Sequence, residues 1–268
     1  MVLALHYSKT NTYLIKGRLG YVLWDTGWAG TFPAFCKELG RVNVPVSEIK
    51  YILVSHFHPD HMGIVQNIAN LGPRLLVFDV QKKYVHDADE IFKKEAKHDY
   101  LPIDDAEASI VSFAEGKNLL SQIGVQADII ASPGHSEDSI SLFLEGGDVF
   151  VGDLNPLYEL ELHRGTKVEE SWNHILARNP RNIYYGHAKM AELDGKGETE
   201  KDDAPSLNEL YGVVKTIIRY IDRGKTKDVI CRKTGAEKEF VEDVMRMYLT
   251  HPGVSVQGIL DRIEIKGK

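Results

Sequence analysis

The stretch Val54-Ser55-His56-Phe57-His58-Pro59-Asp60-His61-Met62-Gly63 constrains this chain more than any other. It overlaps Tyr51-Ile52-Leu53-Val54, an apolar run with the length and residue types of a buried strand. Three imidazoles and a carboxylate therefore fall at a strand's end. Alternation along an extended chain sends His56 and His58 to one side, so that two nitrogen donors can meet one ion, and Pro59 then turns the backbone. Asp60 and His61 are left pointing elsewhere. From Asp60 onward the spacing of Ile64, Val65, Ile68 and Leu71 predicts a helix with Asp60 as its N-cap. A loop that offers two diverging ligand pairs suits a pair of ions, which hydrolytic two-metal sites hold about 3.5–4 Å apart. A His-rich surface turn gives no reason for four convergent donors directly after a buried strand.

H-x-H-x-D-H after a buried strand resembles the signature of the metallo-β-lactamase superfamily of hydrolases, and other stretches match that family's remaining landmarks in order. Leu23-Trp24-Asp25-Thr26-Gly27 is similar to its aspartate at a strand end, and Ser132-Pro133-Gly134-His135-Ser136 to its third histidine. Gly152-Asp153 resembles the bridging aspartate, and Tyr185-Gly186-His187-Ala188 the last histidine. The resemblance spans about residues 1 to 190. It implies an α/β (α+β) fold, a four-layer αβ/βα sandwich of two mixed sheets with outer helices. It also implies a ligand set: His56, His58 and His135 for a first metal, Asp60, His61 and His187 for a second, and Asp153 touching both. Asp25 is then a buried carboxylate that holds the histidine loop without being a ligand. Such a set implies a hydroxide bridging two divalent ions as the nucleophile, with Asp60 beside it as a catalytic proton carrier. Zn is the default for a nitrogen-rich set, and Fe or Mn also suits an all-N/O site with a bridging carboxylate.

The rest of the chain frames that site. Val2 to His6, Thr12 to Lys16 and Tyr21 to Trp24 read as strands, with Gly17 and Gly20 marking a hairpin. Phe32, Phe35, Cys36 and Leu39 have helical spacing, closed by Gly40. Arg74 to Phe78 is a short strand, and Gln81 to His98 is charged and roughly helical. In the family the equivalent region overhangs the metal cleft, so Tyr84, Phe92, His98 and Tyr100 are candidates for lining a substrate pocket; His86 and His98 read on their own as solvated residues. Ala127 to Ala131, Ser139 to Leu144 and Asp148 to Val151 are further strands, the last two joined at Gly146-Gly147. Val168 to Arg178 reads as a helix and Arg181 to Tyr185 as a last strand. Tyr158, five residues after Asp153, is a pocket candidate carried over from lactone-cleaving relatives; a packed loop tyrosine is the plainer reading. His163 and His174 lie outside the ligand pattern.

Glu192 to Pro205 is polar and reads as a connector. The division is accordingly a catalytic domain over residues 1–204 and a helical appendage over 205–268. In the appendage Leu210, Val214, Ile217, Ile218 and Ile221 make one apolar helical stripe, and Phe240, Val241, Val244, Met245, Tyr248 and Leu249 another. Lys227 to Arg232 reads as a short helix between them, and Val256, Ile259, Leu260 and Ile263 suggest a last one, with Ile263 to Lys266 reading equally as a strand. From Ala204 onward twelve Lys and Arg face nine Asp and Glu, so the tail is net +3 and the preceding chain −10. Helices with Gly-containing joints can form a helix-turn-helix-like unit, but no wing is visible and neither charge nor aromatics single out a nucleic-acid face. A cap that completes the pocket or an interface between copies of the chain is the favoured role.

Composition, 43% hydrophobic and 26% charged, is that of an ordinary globular protein. A net charge of −7 argues mildly against a general nucleic-acid binder. Met1 to Leu5 is too short and lacks the basic flank of a signal peptide, and no apolar run approaches membrane-spanning length, so a cytoplasmic protein with no membrane partner is expected. Cys36 and Cys231 are distant and read as ordinary thiols. The expectation is a metal-dependent hydrolase of a small-molecule carbonyl ester, thioester or lactone. A phosphodiesterase or nuclease using the same ions is the alternative. A secreted β-lactamase is disfavoured by the missing export signal and by the presence of Asp153, and oxygen reduction by His58 in the loop and the lack of a flavin module.

Overall fold

The computed structural model describes residues 1–94, 99–193, 207–250, 256 and 258–260. The chain divides into two compact units, Met1–Gly197 and Glu198–Lys268. The expected boundary between residues 204 and 205, like most of the polar connector and His98, lies outside the described residues.

The first unit holds two sheets. Six strands, β1 (Val2–Leu5), β2 (Thr12–Lys16), β3 (Tyr21–Trp24), β4 (Ile49–Leu53), β5 (Arg74–Phe78) and β6 (Ser109–Val111), lie side by side in chain order. The first three pair antiparallel, and β3 to β6 pair parallel. The second sheet runs β11 (Ala191–Glu192), β10 (Asn182–Tyr185), β9 (Asp148–Gly152), β8 (Ile140–Leu144) and β7 (Ala127–Ala131), and only β9 and β10 pair parallel in it.

Alternation sorts the side chains into layers. On one face of the first sheet Leu14, Leu23, Ile52, Leu75 and Val77 are buried against Phe35 and Leu39 of α1 (Phe32–Arg41) and Ile68 of α3 (Val65–Ala69), with α2 being the turn Pro59–Met62. On the other face Tyr13, Trp24, Tyr51, Leu53, Leu76 and Phe78 meet Ile129, Ile140, Leu142 and Phe150 of the second sheet. The outer face of that sheet buries Val149, Val151 and Ile183 against α6 (Lys167–Leu176) through Val168, Trp172 and Ile175. Removing a side chain of this size from water contributes about 1.5–3 kcal/mol. The central strand β4 is buried on both faces, which is why it reads as an unbroken apolar run. The result is the expected sandwich of two mixed sheets with outer helices.

Some local expectations are corrected. Pro59 fixes the first helical φ, so His58 and not Asp60 occupies the N-cap, and Asp60 sits inside the first turn of α2. Gly63 and Ile64 separate α2 from α3, and Leu71 lies beyond α3 and is exposed. Among the described residues between β5 and β6 the helical segments are a short 3-10 turn, Lys82–Tyr84, and α4 (Asp89–Lys94), so the stretch from Gln81 to Lys94 is not one continuous helix. The sequence reading passes over β6 and α5 (Phe113–Gln122), although Ser112 and Glu115 form a reciprocal capping box at the start of α5.

The second unit has its own core, Val214, Ile217, Ile230, Val241, Val244 and Met247, contributed by α7 (Leu207–Asp222), α8 (Lys227–Thr234) and α9 (Lys238–Thr250), together with Ile259 and Leu260. Gly235 closes α8 at φ +70°, a left-handed conformation that glycine adopts without steric cost. Residues beyond Leu260, including Ile263, are outside the described set. Among the described residues no helix is long and apolar enough to cross a membrane.

Candidate metal centre

Five strands deliver side chains to one place. β3, β4, β7, β9 and β10 each run into a turn at their C-terminal end, and those turns carry Asp25, the His56–His61 loop, His135, Asp153 and His187. The two sheets are stitched together there: the Ile140 amide donates to the Ser55 carbonyl at 2.9 Å, and the Asn11 amide to the Gly186 carbonyl at 2.7 Å. Close approach demands glycine. A Cβ on Gly152, at φ +56°, would lie 2.5 Å from the Ser55 side chain, and one on Gly186 would lie 2.3 Å from Asp153 Oδ1.

The residues gather as two groups, His56, His58 and His135 in one and Asp60, His61, Asp153 and His187 in the other, with potential ligand atoms within 4.8 Å of one another in each. In the first, His135 Nε2 and His58 Nδ1 are 3.0 Å apart, and the His56 ring lies 4.4 Å from the His58 ring. In the second, His187 Nε2 is 2.8 Å from Asp60 Oδ2, and His61 Nε2 is 3.2 Å from Asp153 Oδ1. Asp153 spans the groups: its Oδ2 lies 3.7 Å from His135 Nε2 and 3.4 Å from His187 Nε2.

Whether this set fits a divalent ion is decided by its unmet bonding. Nε2 of His56, Nε2 of His61 and Oδ1 of Asp153 are buried and have no hydrogen bond of acceptable geometry, despite the short His61–Asp153 separation. Buried polar atoms rarely remain so, and three of them among these two groups call for a cation. The donor chemistry fits, being imidazole and carboxylate alone. The other ring nitrogens are already oriented. His61 Nδ1 donates to Asp25 Oδ2 at 3.0 Å, and Asp25, fully buried and at φ +60°, also accepts the Ser55 amide at 2.7 Å and the Ser55 hydroxyl at 3.0 Å. His56 Nδ1 is 3.0 Å from the same hydroxyl. Such partners fix which nitrogen faces a metal.

Electrostatics separate the groups further. Burial, then the neighbouring imidazoles, push the His56 pKa well below its ordinary value, and burial also lowers that of His135 against the pull of Asp153. Both shifts favour the neutral ring that a metal ion requires. For His61 burial works in the same direction but is overcome by the charge of Asp25, by the closeness of the Asp153 carboxylate and by the hydrogen bond to Asp25, which hold it at about 10. The hydrogen bond to Asp60 raises His187. Burial would raise Asp60 and Asp153, yet the surrounding histidines hold both carboxyls below their usual range. A cation entering this second group replaces protons already drawn there.

Of the pocket candidates, Phe92 is buried in the core, edge-on to Trp28 at 5.3 Å and stacked on Tyr100 at 4.2 Å, so it backs a wall and presents no surface. Tyr100 donates its hydroxyl to Asp89. Tyr84 is half-buried with the Lys83 ammonium 4.7 Å over its ring. Tyr158 falls in the 3-10 segment Leu157–His163, and its side chain lies outside the described part. His86 is tied to Asp89 and Asp105, and His163 faces Glu159, so neither joins the centre.

Two contributors have no place in the sequence reading. Asp138, 3% exposed, accepts the Phe57 amide at 2.6 Å, joining the turn that carries His135 to the loop that carries His56 and His58. The Thr10 hydroxyl donates to the Asp60 carbonyl at 2.8 Å. Their partners are 81 and 50 residues away, so no local pattern announces them.

Comparison with known proteins agrees with this architecture. A family model described as the metallo-beta-lactamase superfamily matches residues 8–187. The Beta-lactamase-like protein 2 homolog of Drosophila melanogaster is 28% identical over 199 residues, covering 70% of this chain and 62% of its own length. The Caenorhabditis elegans homolog of that name is 28% identical, covering 68% and 57%. The Atrochrysone carboxyl ACP thioesterase of Emericella nidulans is 28% identical over 150 residues, covering 54% and 39%. The chain thus spans 39% to 62% of the length of these curated relatives, less than two thirds of each. Among solved structures, a protein crystallised in a di-iron-bound form superposes with a TM-score of 0.52 at 21% identity, covering 72% of this chain and 94% of that one. An archaeal superfamily protein from Sulfolobus tokodaii gives 0.51 at 16%, covering 71% and 81%. These two likenesses concern the fold alone. With the family model covering more than half of its length and the two ligand groups gathered at the strand ends, the chain belongs to the metallo-beta-lactamase superfamily.

Proposed function

We propose that this protein is a metal-dependent hydrolase with a dinuclear centre, acting on a carbonyl ester, thioester or lactone. The observation that carries the reading is Asp153, which reaches both groups: its Oδ2 lies near His135 of one and His187 of the other, and its Oδ1 faces His61, as suits a carboxylate shared between two ions. His56, His58 and His135 would hold one ion, Asp60, His61 and His187 the other. When bound, two divalent cations, Zn by default with Fe or Mn also suited to these donors, supply Lewis acidity that polarises a substrate oxygen and brings the pKa of water toward neutrality. The chain's own residues do the rest. Asp25 keeps His61 in one orientation, and the Asp60 carboxylate, one-third exposed, is the group that takes up and returns a proton during attack and departure. His58, His135 and His187 line the open side of the site, where substrate enters.

Two observations favour carbonyl chemistry over phosphodiester cleavage. A thioesterase is among the named relatives, although it aligns with only 54% of this chain. In the second unit α9, the helix that a helix-turn-helix would lay in a groove, carries exposed Glu239 and Glu242 beside Lys238 and Arg246, a poor match to a polyanion. The test is the initial rate of metal-loaded protein on a lactone, a thioester and a chromogenic phosphodiester, with His58→Ala as the blank. Metal-dependent cleavage of a carbonyl substrate is expected; cleavage of the phosphodiester alone would overturn the substrate class while leaving the metal centre in place.

A further inference from the structure

We infer that the three residues Lys9-Thr10-Asn11, in the turn between β1 and β2, are a positioning element for the Asp/His half of the centre alone; the inference rests on the dinuclear reading. Each residue reaches a different part of that half. His187 Nδ1 donates to the Lys9 carbonyl at 3.3 Å, which leaves Nε2 as the nitrogen that faces Asp60 and Asp153. The Thr10 side chain, 2% exposed, donates its hydroxyl to the Asp60 carbonyl at 2.8 Å and lies 3.4 Å from Asp60 Oδ2. Asn11 Nδ2 donates to the carbonyls of Tyr185 at 3.1 Å and Ala188 at 2.9 Å, and its amide donates to the Gly186 carbonyl at 2.7 Å. The backbone is thereby gripped on both sides of His187.

Asp60 and His187 are 127 residues apart and arrive on different sheets. Each has limited grip of its own: Asp60 belongs to a four-residue helix without a side-chain cap, and His187 follows a glycine at the end of a four-residue strand. A single short turn that bonds to both sets their separation, and it makes no hydrogen bond to His56, His58 or His135. Partners of this kind typically change metal affinity by about 10–100-fold when removed.

The experiment is a Co(II) titration of the full chain, followed by absorbance and by chelator competition, with Thr10→Val, Thr10→Ser and Thr12→Val. Thr12 is the matched control, a buried threonine two positions away whose hydroxyl makes no hydrogen bond of acceptable geometry. Thermal melting of each variant without metal accompanies the titration. Expected for Thr10→Val is a first ion bound as in the wild type and a second ion weakened roughly 10–100-fold, with Thr10→Ser restoring it and Thr12→Val unchanged. A wild type that takes two ions, with Thr10→Val indistinguishable from it, overturns the inference and leaves the dinuclear reading standing. Weakening of both ions in step with a fall in melting temperature also overturns it, since Thr10 would then be structural only. A wild type that takes one ion, with Thr10→Val indistinguishable, overturns both.

Discussion

The two halves of the centre grow from the same strand ends but solve different problems. The three-histidine half has no carboxylate of its own, and burial, helped by crowding of the imidazoles, lowers the pKa of His56 and His135. The Asp/His half draws in positive charge through Asp60 and Asp153, and each of its proposed ligands other than Asp153, the one proposed to be shared, has an outside brace: Asp25 for His61, Thr10 for Asp60 and the Lys9 carbonyl for His187. On the other side Ser55 touches His56, and Asp138 reaches only the backbone between His56 and His58. A charged, braced half should bind by electrostatics and lose affinity when a brace is removed. A neutral half should bind by donor softness and geometry.

The largest effect should come from removing what the halves share. Asp153→Ala is expected to leave at most one ion per chain and to lower turnover at least ~10³-fold, the upper end of what losing a principal electrostatic contact costs. Elemental analysis after gel filtration checks it, and two retained ions would mean that Asp153 is not shared. Asp25→Asn comes next and sharpens the difference. It removes the charge that holds His61 up and weakens its orientation, so the second ion should be lost about 10–100-fold more readily while the first changes little. Equal weakening of both ions in chelator competition would show that Ser55, which Asp25 also holds, transmits the change to His56 and that the halves are not independent.

How much of this was legible in the sequence follows the same division. His56, His58, Asp60 and His61 lie on one short loop after an apolar run, so periodicity and donor type announce them together. His135, Asp153 and His187 are legible only as ordered landmarks, because a Pro-Gly-His turn or a Gly-Asp after a strand is uninformative alone. The braces were opaque, Asp25 apart. Thr10 and Asp138 act across 50 and 81 residues, and nothing in a threonine or an aspartate of a turn records its partner. Phe92 misled for another reason: the family's equivalent region overhangs the metal cleft, which made it a pocket candidate, while its ring packs on Trp28 and Tyr100 and is buried. The helix after β6 was missed although Ser112 and Glu115 spell its start, since its apolar residues, Phe113, Leu119 and Leu120, make too sparse a stripe to stand out.

The next effect in size belongs to the three-histidine half. Asp138→Asn keeps the shape and an acceptor oxygen but loses the charge that strengthens the bond to the Phe57 amide, so the first ion should weaken by about tenfold, the lower end for an outer partner, with the second unaffected. Loss of the second ion first would reverse the comparison. The smallest effect lies away from both halves. Glu38, nearly buried on α1, is held at about 2 by Arg41, which pairs with it through two N–H donors, and by the His6 amide. A carboxyl lowered on folding stabilises the fold above its ordinary value near 4.5 and ceases to do so as pH falls through that value toward 2. Because Arg41 is 60% exposed the pair is screened, and the contribution should be about 1 kcal/mol or less. Urea midpoints of the wild type and Glu38→Gln should therefore differ at pH 6 and converge as pH approaches 2, whereas the Asp25→Asn difference in ion affinity persists at pH 6 with Glu38 intact. If Glu38→Gln altered ion release at pH 6, the bracing of the centre would extend through α1 and the Asp25 turn, and the two halves could no longer be treated as locally held.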